Sequence, residues 1–137
     1  MLKPLRAAAA AVALSLVACG SPVFVLTPDS TVRFAKGEVR ADVASDGNAT
    51  LEVSVEHLGD PGKLDPSATT YVVWIQQKSD DAPLQNMGAL KVDDSYSGTH
   101  TFKTTFKEFD LSITPEADAN AGKPTGITVL KTTIDLD

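Results

Sequence analysis

From Thr31 onward the apolar residues recur with a period of two. Val39, Ala41 and Val43 alternate with Arg40 and Asp42, while Leu51, Val53, Val55 and His57 alternate with Glu52, Ser54 and Glu56. Successive side chains of an extended chain point to opposite faces, so this pattern buries one face and wets the other. Between the two runs, Ser45-Asp46-Gly47-Asn48 supplies the residues of a tight turn, where Gly accepts a positive φ. The pair predicts a β-hairpin.

The later segments follow the same logic. Leu58 to Ala68 holds Gly59, Pro61, Gly62 and Pro66 and predicts a loop. Tyr71-Val72-Val73-Trp74-Ile75 is apolar on both parities, which suits a strand inside a sheet with Trp74 as core anchor. Met87 to Val92 predicts a short strand interrupted by Gly88. Thr99 to Phe106 places His100, Phe102, Thr104 and Phe106 on one face. Phe109, Leu111 and Ile113 predict a strand that stops at Pro115, because proline cannot donate to a sheet ladder. Glu116 to Gly126 reads as a loop of small residues. The last strand changes parity, from Ile127 and Val129 to Leu130, Thr132, Ile134 and Leu136, the mark of a bulge or of a strand serving two faces. No helical stripe follows the N-terminal segment; Ala117 to Ala121 could form one turn. The expectation is an all-β fold, an immunoglobulin-like antiparallel β-sandwich of seven to eight strands.

The N-terminus breaks this pattern. Lys3 and Arg6 precede an uncharged run from Ala7 to Ala18, too short for the ~20 residues a spanning helix needs and suited to a signal-peptide core. The run ends in Leu16-Val17-Ala18-Cys19, which resembles a bacterial lipobox. That resemblance implies cleavage between Ala18 and Cys19 and diacylglyceryl modification of the Cys19 thiol, with acylation of its new amine. Gly20 rather than Asp follows, which in two-membrane envelopes resembles sorting to the outer membrane; with one membrane, the protein would stay on its outer face. The chain therefore divides into a signal peptide (1–18), a lipidated cysteine and tether (19–30) and a β-sandwich domain (31–137). Within the tether, Val23-Phe24-Val25-Leu26 is apolar enough to dock as an edge strand.

Composition narrows the chemistry. Twelve basic residues against eighteen acids give a net charge of −6, which argues against a nucleic-acid partner. Cleavage would remove Lys3 and Arg6 and deepen that charge, so the lipid alone must hold the body to a membrane. The single cysteine excludes an internal disulfide or a multi-cysteine metal site. His57 and His100 could in principle form a two-histidine site, but they read better as strand-end residues capping the core. The acidic pairs Asp80-Asp81 and Asp93-Asp94, and Glu116-x-Asp118, could offer oxygen ligands to calcium, though the calcium-loop pattern is absent and solvated turns are the simpler reading. Asn48-Ala49-Thr50 matches a glycosylation acceptor by coincidence. Tyr71, Trp74 and Tyr96 could line a sugar-binding face, with Tyr96 the best surface candidate. There is no G-x-S-x-G elbow and no H-E-x-x-H. No catalytic residue, cofactor or metal is expected.

Residues 69 to 130 resemble the extracytoplasmic C-terminal domain of anti-sigma-K factors. The residues that carry the likeness are Tyr71-Val72-Val73-Trp74-Ile75, Asn86-Met87-Gly88-Ala89-Leu90, Phe109 to Glu116 and Lys123-Pro124-Thr125-Gly126. In order and spacing they are similar to that family's tryptophan strand, Gly-Leu strand, Val/Ile-Thr-x-Glu strand end (here Ile113 to Glu116) and Pro-Thr-Gly turn. The resemblance implies the sandwich fold and an envelope sensor or interaction module. It does not imply anti-sigma activity, because neither a sigma-binding segment nor a spanning helix is legible here. The expected function is thus a non-enzymatic envelope lipoprotein, bound to the bilayer through Cys19 and in contact with an envelope protein. The alternative is a lipoprotein that binds a small molecule, a sugar or a cation.

Overall fold

The computed structural model describes residues 20–79 and 81–137. Among these residues nine strands form two antiparallel sheets: β1 (Val23–Val25), β2 (Thr27–Pro28), β3 (Lys36–Val43), β4 (Ala49–Glu56), β5 (Thr70–Gln77), β6 (Leu84–Leu90), β7 (Gly98–Thr104), β8 (Glu108–Glu116) and β9 (Leu130–Asp135). The smaller sheet has the order β1-β3-β4-β7 and the larger β2-β9-β8-β5-β6. The larger sheet follows the G-F-C order of immunoglobulin domains; the smaller sets the hairpin β3-β4 where strand B would lie beside strand E.

The inner faces meet along the alternation seen in the sequence. Val39, Ala41, Leu51, Val53 and Val55 from one sheet pack against Tyr71, Val73, Ile75, Phe109, Leu111, Ile113, Leu130 and Ile134 from the other. Both flanks of the sandwich are closed. On one flank the segment read as a tether is docked: β1 pairs with β3, Leu26 turns into the core, and β2 pairs with β9. The body therefore starts before Thr31, and these two short edge strands bring the total from the expected seven or eight to nine. On the other flank, the His100 ring nitrogen Nε2 lies 2.7 Å from Met87 O and joins β7 to β6.

Four local expectations are corrected. β8 does not stop at Pro115, which pairs with Tyr71. Its missing N–H points to the β9 side of the strand, and β9 pairing has already ended at Ile113 and Leu130, so no ladder bond is lost. His57 is exposed instead of capping the core, because its φ of 58° swings the chain and delivers Leu58 to the interior. His100 sits within β7, half-buried, and not at a strand end. A one-turn helix, Pro61–Leu64, occupies the predicted loop, while Ala117 to Ala121 holds one hydrogen-bonded turn, Ala121 N donating to Asp118 O at 3.1 Å.

Candidate functional site

Ala18 and Cys19, on which the lipidation expectation rests, lie outside the described residues. What is described is how the chain leaves them. Ser21 Oγ donates to Asp42 Oδ1, Pro22 O accepts from Ala41 N at 3.0 Å, and Val23 pairs with Arg40. The chain is fastened to the sheet edge from Ser21 onward, with Gly20 alone between that point and Cys19.

Trp74 is fully buried, yet it lies outside the cluster between the sheets. Tyr71, Val73 and Ile75 face the inner core; Val72 and Trp74 face the opposite side of β5. That outer face is covered by the segment after β8. Asn86 Nδ2 donates to Ala119 O and Ala121 O, both at 2.9 Å. Glu116 accepts from the Thr125 hydroxyl at 2.6 Å and from the Thr125 and Gly126 backbone N–H groups. Beneath, Trp74 Nε1 donates to Thr114 Oγ1 at 2.8 Å, and Thr114 Oγ1 donates onward to Glu116 Oε2 at 2.6 Å. The Ile-Thr-x-Glu and Pro-Thr-Gly motifs thus form one polar clamp over a buried indole. Burial pushes the Glu116 carboxyl up, but the combined hydrogen bonds from Thr114, Thr125 and Gly126 outweigh it and hold the group below the ordinary glutamate value.

Next to the covered half, the outer face of the larger sheet is open. Gln76, Lys78, Asp110, Ser112, Lys131 and Thr133 line a polar groove of about 700 Å³. Asp110 accepts from Thr133 Oγ1 at 2.8 Å and pairs with Lys78 Nζ at 3.0 Å. Burial raises the Asp110 pKa, but these two partners bring it below the usual carboxylate range. Sequence reasoning missed this groove, since its residues come from all five strands of the larger sheet and no linear spacing links them.

The other candidates separate. Tyr71 is buried, its hydroxyl donates to Gly59 O at 2.5 Å, and desolvation with a lesser contribution from Asp60 pushes its pKa up to about 12. Tyr96 is exposed at a φ of 62°, with Lys63 Nζ 5.7 Å from its ring centroid. Asp93 Oδ1 accepts from Ser95 N and Ser97 N, and Asp118 Oδ1 accepts from Asn120 N, so these carboxylates close their own turns. Asp80 lies outside the described residues. Among the described residues no three His, Cys, Asp or Glu side chains converge on a point that could hold a metal. Nor is any helix among them long and apolar enough to cross a membrane. No protein-family model and no curated protein matches the chain.

Proposed function

We propose that this chain is a bacterial envelope lipoprotein, held on a membrane through acylated Cys19, whose β-sandwich serves as a non-enzymatic protein-interaction or structural module. The reading is carried by one juxtaposition: the lipobox-like Leu16-Val17-Ala18-Cys19 runs, after Gly20, straight into the edge of a folded sandwich. An anchor is useful only where a body follows it. Two or three acyl chains hold such a body nearly permanently, since each buried methylene contributes about 0.8 kcal/mol. Changing Cys19 to Ala is expected to abolish labelling with a palmitate analogue and to move the protein from the membrane fraction to the soluble one. Retention of the variant on membranes would overturn the reading.

The open groove around Lys78, Asp110 and Lys131 favours a second reading, capture of a small polar molecule, because converging charged and hydroxyl groups suit such a ligand. In-cell crosslinking separates the two. A protein adduct supports the interaction module, whereas a chain that crosslinks to nothing but binds sugars at Lys131 supports capture.

A further inference from the structure

The direction in which the chain enters the body has a consequence for how the body would sit on a membrane. From Val23 to Val25 the chain runs antiparallel to β3, starting beside Arg40 and ending beside Glu38. It enters at the tip that carries the Ala44–Asn48 turn and climbs toward the tip formed by residues 29–35, 57–69 and 91–97. Resting on the lipid-anchor reading, we infer that the sandwich stands end-on, with the Ala44–Asn48 tip against zwitterionic lipid headgroups and the opposite tip pointing away from the bilayer.

The argument is one of reach. The two residues from Cys19 to Ser21 span about 7 Å when extended, so the acyl chains cannot move far from Asp42. The eight residues of β4 rise about 26 Å, which sets the far tip that much farther from the headgroups. A long loose linker would permit any orientation; a chain fastened at Ser21, Pro22 and Val23 does not. The chemistry of the near tip suits a headgroup layer and not an acyl core. Asp42, Asp46, Glu108 and Asp135 are exposed there and outnumber the exposed Lys103 and the half-buried Lys107, whose Nζ donates to Gly47 O at 2.7 Å. Its acids would be repelled by an anionic leaflet, which selects zwitterionic lipid. Phe34, 79% exposed, and Tyr96 are then left at the far tip, clear of the bilayer.

Two isosteric variants test this, Ser45→Cys in the near turn and Ser95→Cys at the far tip. The lipidated full chain is purified and placed in phosphatidylcholine vesicles that carry a headgroup nitroxide. The Cys19 thiol is consumed by its thioether, so a thiol-reactive dye goes to the introduced site alone. Quenching at position 45 is expected to exceed that at position 95 severalfold. Flotation with the vesicles but equal or reversed quenching overturns the end-on orientation and leaves the anchor intact. Failure of the unlabelled chain to float overturns the anchor reading, and the orientation with it.

Discussion

Glu116 accepts both the hydroxyl and the backbone N–H of Thr125, and this pair fastens the segment from Ala117 to Gly126 over the only tryptophan of the chain. A carboxylate that is 2% exposed is stabilised here by hydrogen-bond donors and not by a cation. Its folded pKa lies below its ordinary value of 4.5. The linked stability is therefore fully present above that value and is lost as pH falls through the depressed folded pKa. Glu116→Gln turns an acceptor toward donors that it cannot fully satisfy, and is expected to cost about 1–3 kcal/mol at pH 7. Thermal melts of both proteins from pH 7 to pH 3 check this: the gap should narrow only below about pH 4.5. A gap independent of pH would contradict the role assigned to the ionised carboxylate.

Trp74 has two attachments that can be removed separately. Trp74→Ala deletes the whole indole and is expected to destabilise the domain by about 3–5 kcal/mol. Trp74→Phe keeps most of the buried area but leaves Thr114 Oγ1 without its donor, and is expected to cost less, about 1–3 kcal/mol. Urea denaturation of the two variants gives both values. The native tryptophan emission should also be blue-shifted and should move to the red in Glu116→Gln already at pH 7 and in the wild-type chain at acid pH, as the cover loosens.

These relationships were legible in part. The β3-β4 hairpin could be read directly because one of its faces is wet, and wet faces leave alternation in the sequence. In β5 the apolar residues on both parities reported that both faces are covered. What covers the outer one could not be read, because Asn86 to Ala119 and Glu116 to Thr125 are contacts between side chains and distant backbone. His57 turned outward through a backbone φ that its side chain does not announce. The lipobox resemblance is a linear pattern and needs no fold. The groove around Asp110 is assembled from all five strands of the larger sheet and exists only once they pair.

Calcium is expected to leave the protein unmoved. The carboxylates of Asp93, Asp118 and Asp46 accept hydrogen bonds from backbone N–H groups two residues on, and a hard cation would have to displace those donors. Thermal melting with excess calcium against a chelator checks this, and a clear rise in Tm would show that an oxygen site forms.

Gly88 and His100 close the flank between β6 and β7, and their coupling can be measured. The register of β5 and β6 shifts between Val72 and Trp74, which places a bulge opposite Val73, and Gly88 takes a φ of 116° within it. A Cβ at this position would lie 2.6 Å from His100 Nε2, so Gly88→Ala meets two separate penalties, the backbone conformation and the imidazole. The conformational part alone costs about 1–3 kcal/mol. His100→Ala removes the contact with Met87 O, worth about 1 kcal/mol, but it also clears the space that the new methyl needs. The double variant should therefore be less destabilised than the sum of the two single variants, with a coupling of about 0.5–3 kcal/mol in a double-mutant cycle. Additive losses would mean that the flank relaxes around the methyl without moving the ring, and that His100 does not hold β6 and β7 together in the way this geometry implies.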